Sequence, residues 1–171
     1  MVASYTKKIA FNTIIQIVGK IITTAVSVVM LAYLSRYLGV SGYGEYTVVF
    51  AFLGFFAILA DLGLYNIAVR EMSRDFNNAR KILGNIATLR ISLAIFFLLL
   101  APIIAHFIPA YSSEVKTGVW IGALSSFFIL INQLFVAVFQ TKLRMDHLVV
   151  GDVISRIVLF VSVYCFIKLG L

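Results

Sequence analysis

Residues 9–37 read IAFNTIIQIVGKIITTAVSVVMLAYLSRY, nearly thirty residues in which Lys20 and Arg36 are the only charges. At 1.5 Å rise per residue this run exceeds the roughly 30 Å hydrocarbon core of a bilayer, so it reads as a membrane-spanning helix. At 100° per residue Asn12, Gln16, Gly19, Lys20, Thr23, Thr24 and Ser27 fall within an arc of about 140°, while Ile14, Ile17, Val18, Ile21, Ile22, Ala25, Val28 and Val29 form an apolar face. One side of such a helix must meet protein or water rather than lipid. Gly19, Thr23 and Ser27 suit a close helix–helix seam, because small residues four apart let backbones approach. Lys20 suits a seam poorly: an ammonium near mid-membrane costs on the order of 3 kcal/mol on insertion scales, which favours a water-filled cavity lining.

Four further apolar segments follow, at approximately 44–70, 84–108, 117–140 and 148–169, each long enough to cross a bilayer. The composition agrees, with 62% hydrophobic and 12% charged residues against about 45–50% and 25% in soluble domains. The expected fold is all-α, a polytopic bundle of about five transmembrane helices forming a single domain over 1–171. The connections LGVSGYG, EMSRDFNNARKI, IPAYSSEVK and TKLRMDHL are short and polar or turn-rich, too short for a separate domain. The chain ends on Leu169-Gly170-Leu171 without a polar tail, which leads us to expect the N-terminal portion of a longer protein.

A net charge of +7 does not imply a nucleic-acid partner, because the basic residues are spread over helix ends rather than gathered in a groove-sized patch. They instead orient the chain. With the N-terminus in the cytoplasm, the inner side collects Lys7, Lys8, Arg70, Arg74, Arg80, Lys81, Lys142 and Arg144, against Arg36, Lys116 and Lys168 outside. Tyr33, Tyr37, Tyr43 and Tyr46 then form part of an outer aromatic belt, with Phe107, Tyr111 and Trp120 at another outer boundary. The first segment runs too long, without a small-residue cleavage site, to be a signal peptide.

Single Cys165 and two distant histidines, His106 and His147, build no metal set, and neither metal nor cofactor is expected. H-E-x-x-H, G-x-S-x-G and the Walker A loop are absent from the sequence, which points away from an enzyme. Gly39, Gly42 and Gly44 follow no strand and read as a turn between helices. The candidates for chemistry are therefore polar groups inside apolar spans. Asp61, near the bilayer centre, is either a functional carboxylate or the partner of Lys20 in a buried ion pair, since the two lie at similar depth. Arg90 falls two to three turns from the cytoplasmic end of its helix, where it is expected to snorkel. Asp152 and Arg156, acid first at i,i+4, suit an intrahelical pair in which Arg156 is also open to a ligand. Asn132, Gln133 and Gln140 and the small stripe Gly118, Gly122 and Ser126 suit packing.

The stretch 31–75 also resembles a family pattern. R-x-L-G-x-x-x-Y-G at Arg36, Leu38, Gly39, Tyr43 and Gly44, D-L-G-L at Asp61 to Leu64, and Arg70 resemble the region joining the first two helices of polysaccharide flippases, the Wzx-like O-antigen or repeat-unit transporters of the MATE/MOP superfamily. Asn12 and Gly19 fit the same pattern. The resemblance implies part of the N-lobe of a transporter with about twelve to fourteen helices. Its central cationic cavity would pass undecaprenyl-pyrophosphate-linked oligosaccharide across the inner (cytoplasmic) membrane. Substrate contacts would then come from Asn12, Gln16, Lys20, Asp61, Arg90 and Arg156, with membrane lipids and glycan polymerase or other assembly proteins as partners. A cation-coupled drug exporter of the same superfamily would call for a carboxylate in the first helix, which instead has Lys20. A non-transporting assembly module would bury the polar faces against a partner.

Overall fold

The computed structural model describes the backbone of residues 2–75, 78–141 and 145–169, with side chains at 13–75, 78–141 and 148–169. The side chains of Lys7, Lys8, Asn12, Lys142, Arg144 and His147 lie outside the described residues. The described chain is helical: α1 (Val2–Asp61), α2 (Leu64–Arg74), α3 (Ala79–His106), α4 (Ser113–Thr141) and α5 (Met145–Leu169). Four of these runs are long and apolar enough to cross a membrane, counting 13–74 as one. This is the all-α membrane helix bundle expected from the sequence.

A straight helix of 60 residues would measure about 90 Å, three times a hydrocarbon core. Helix α1 therefore holds two spans, divided at Gly39, whose φ 66° and ψ −174° lie outside the helical region. The LGVSGYG connection expected as a turn is thus reduced to one residue. Gly42 and Gly44 are helical, and Thr47 Oγ1 donates 2.9 Å to the Tyr43 carbonyl in that first turn. Glycine admits the conformation at position 39 without a Cβ clash, so the chain can redirect there and resume its helix at once.

The second expected span, 44–70, is also divided. Leu62 (φ 42°) and Gly63 (φ 79°) both take positive φ, and the helix resumes at Leu64. Helix α3 starts five residues earlier than the apolar pattern implied, at Ala79, and ends before Pro109. At the start of α4 the Ser112 hydroxyl accepts from Val115 N–H at 3.2 Å and donates to Glu45 at 2.9 Å, capping one helix while tying it to another.

The chain divides into two compact units, Met1–Val40 with Lys142–Leu171, and Ser41–Thr141. In the first, Gly19 meets Val149 and the rings of Tyr33 and Tyr164 lie 5.6 Å apart, so residues 13–38 and α5 run in parallel. In the second, Gly118 and Gly122 meet Val49 and Leu53, and Tyr65 bonds Gln140, so the second span runs parallel to α4. The Gly118 and Gly122 stripe is thus the packing surface the sequence suggested.

The core of this second unit is built from Val49, Leu53, Phe56 and Ala60, from Ala94, Leu98, Ala101 and Ala105, and from Val115, Val119, Ala123 and Leu130. The three- and four-residue spacings are those of single helix faces. Alanine and glycine at these contacts let backbones approach closely, the dominant packing device where lipid supplies no hydrophobic drive. A smaller cluster of Ala68, Met72 and Ala137 seats α2 against α4.

Candidate functional site

The first unit presents the polar face predicted for the first span, but divides it. Gly19 and Thr23 are buried, Ser27 is half-buried, and Gln16, Lys20 and Thr24 are exposed. Thr23 Oγ1 donates to the Lys20 carbonyl at 3.2 Å and Ser27 Oγ to the Thr23 carbonyl at 2.8 Å, so these hydroxyls satisfy themselves on their own helix. The arc therefore serves two purposes: Gly19 gives a close approach to α5, while Gln16, Lys20 and Thr24 remain open. Within this unit Lys20 has no ion-pair partner among the described residues.

Helix α5 carries the expected intrahelical pair, with Arg156 Nε 3.8 Å from Asp152 Oδ1. Both side chains are about half exposed, and Ser155 bonds back to the Gly151 carbonyl at 2.7 Å. Arg156 thus has donors free of its own helix, as a ligand contact requires.

In the second unit Asp61 ends α1 and meets Arg90 of α3, with Arg90 Nη2 2.7 Å from Asp61 Oδ1. The carboxylate predicted to face Lys20 or a substrate has this arginine as its partner. Arg90 also bonds the amide oxygen of Gln133 on α4, and Tyr65 of α2 bonds that of Gln140. Arg90 does not snorkel. Its side chain is 1% exposed whereas that of Asp61 is 25% exposed. The early start of α3 places Arg90 about three turns into the helix, too deep to reach the interface when an anion and an amide lie beside it. Gln133, read from sequence as packing, is part of this polar cluster; the available signal was an amide in an otherwise apolar span.

The described residues thus offer a polar feature in each unit, the Gln16–Lys20–Thr24 face in the first and the Asp61–Arg90–Gln133 cluster in the second. Among the described residues no group of His, Cys, Asp or Glu could hold a metal ion.

A family model described as polysaccharide biosynthesis protein matches residues 9–171. The chain belongs to the polysaccharide biosynthesis protein family. Searches of curated proteins and of solved structures gave no match. Membership agrees with the resemblance carried by Arg36–Gly44 and Asp61–Leu64, and those motifs gain a structural meaning. In this polysaccharide biosynthesis protein the glycine of R-x-L-G divides the first two spans, and D-L-G-L is the break within the second.

Proposed function

We propose that this membrane protein works as a flippase, or as the N-terminal part of one, moving an undecaprenyl-pyrophosphate-linked oligosaccharide across the inner membrane for cell-surface polysaccharide synthesis. The observation that carries the reading is Lys20, an exposed cation without an ion-pair partner among the described residues of its unit, halfway along an apolar span of a polysaccharide biosynthesis protein. An unpaired charge at that depth is expensive in lipid, and a positive group in a low-dielectric cavity attracts anions strongly. A lipid pyrophosphate supplies such an anion. Asn12, Gln16 and Lys20 on the first span, Asp61 at the break and Arg156 on α5 then contact the cargo, the cations meeting phosphate and the acceptors meeting sugar hydroxyls.

Lys7, Lys8, Lys142 and Arg144, with the basic residues at 70–81, outnumber Arg36, Lys116 and Lys168 and favour a cytoplasmic N-terminus. Parallel packing of the first and last spans, and of the second and fourth, is what alternating crossings require. Cells lacking the gene should accumulate lipid-linked oligosaccharide on the inner leaflet, and the wild-type gene should clear it. Export unaffected by loss of the gene would remove the proposal.

A further inference from the structure

The D-L-G-L break interrupts the second span at Leu62 and Gly63. Leu62 at φ 42° is a bulky residue in a region glycine tolerates and leucine does not, so the backbone there must be held by its surroundings. Helices α1 and α2 could otherwise join into one continuous helix, since the residues on both sides are good helix formers. The force that holds them apart should come from a contact made by the break itself.

Asp61 is the last residue before the break, and it meets Arg90 at 2.7 Å. Arg90 has five N–H donors in a rigid fork. Among the described residues its Nε and Nη1 have no hydrogen-bond partner, and Asp61 Oδ1 receives Nη2 off the hydrogen-bond direction. A buried guanidinium so sparsely bonded depends on its one carboxylate, and the carboxylate is thereby fixed. The same Nη2 also donates to the Gln133 side-chain oxygen, so one nitrogen ties Asp61 to α4. Within the first turn past the break, Tyr65 and Gln140 join α2 to α4 again. Burial of Arg90 against 25% exposure of Asp61 means that an approaching ligand reaches the acid first.

We propose that Arg90 is a positioning residue, which pins the Asp61–Gly63 break to α3 and α4 and thereby seats α2 and orients Asp61, and that it makes no contact with cargo. Only the identity of the cargo rests on the flippase reading.

The test places thiols at Tyr65→Cys and Gln140→Cys in the full chain with Cys165→Ser, and joins them in native membranes with a short thiol-specific linker. The linking rate should fall by about fivefold or more in Arg90→Gln, within the range of typical coupling between linked sites. It should fall less in Arg90→Lys, which keeps the charge and loses the fork. The exchanged pair Asp61→Arg with Arg90→Asp should recover the rate. An abundant Arg90→Gln chain that links at the wild-type rate overturns the proposal, and if it also fails to export, Arg90 is returned to the cargo contacts. If Arg90→Gln is lost from the membrane, the exchanged pair decides: failure to restore both abundance and linking is equally fatal. The linking readout needs no cargo, so a wrong flippase reading leaves it intact.

Discussion

Gly19 lies so close to Val149 that a Cβ at position 19 would stand 2.1 Å from Val149 Cγ1. Valine is branched at Cβ and stiff at χ1, and its own Cβ is only 3.3 Å away, so the clash cannot be relieved by turning a flexible end aside. Gly19→Ala should therefore destabilise the first unit by roughly 1–3 kcal/mol, the usual effect of overpacking. Thermal unfolding in detergent should show a clear downward shift for Gly19→Ala and little for Gly54→Ala, where nothing lies within 4 Å. Equal shifts would show that α5 does not rest on Gly19.

Gly39 has space for a side chain but not the backbone angles for one, with φ +66° and no atom within 4 Å of where a Cβ would stand. Its φ and ψ together fall in a region used essentially by glycine alone, so Gly39→Ala should cost on the order of 1–3 kcal/mol. Gly44→Ala, helical and equally uncrowded, should be neutral or slightly stabilising. Unfolding temperatures of the two variants measured side by side test this, and a harmless Gly39→Ala would mean that the two spans are not divided there.

Lys20→Ala should leave an inserted, abundant protein that exports glycan poorly, while Lys20→Arg keeps partial activity because the charge survives. Wild-type export by an abundant Lys20→Ala variant refutes the cargo role.

Water-soluble thiol reagents should label Gln16→Cys, Lys20→Cys and Thr24→Cys and should spare Thr23→Cys, which is 5% exposed. Uniform protection of all four positions would instead describe a face sealed against a protein partner.

A reporter fused after residue 77 should read as cytoplasmic and one after residue 113 as external, as the distribution of Lys and Arg requires. The opposite pattern inverts the orientation.

The spans were legible because length and apolarity are local properties of the chain: the apolar runs at 84–108 and 117–140 lie within α3 and α4, give or take two residues. The Asp152–Arg156 pair was legible for the same reason, since i,i+4 spacing fixes both partners on one helix. Partnership between helices was not. Depth suggested Lys20 as a partner for Asp61 and did not point to Arg90, because depth is blind to the rotation of each helix and to the early start of α3. The break at Leu62 and Gly63 was hidden by the apolar run that continues through it, and glycine alone is too common in membrane helices to announce one.

The Asp61–Arg90 pair also constrains how the protein enters its membrane. Asp152 and Arg156 belong to one turn of one helix, so α5 meets the translocon with its charges already balanced. Asp61 and Arg90 belong to successive spans, and each alone would raise the insertion cost by about 2.5–3.5 kcal/mol at the helix centre. Until α3 has been synthesised, the second span holds a carboxylate without its counter-charge. The second and third spans therefore partition most favourably as one hairpin, and biogenesis has a two-helix step written into it by a single ion pair.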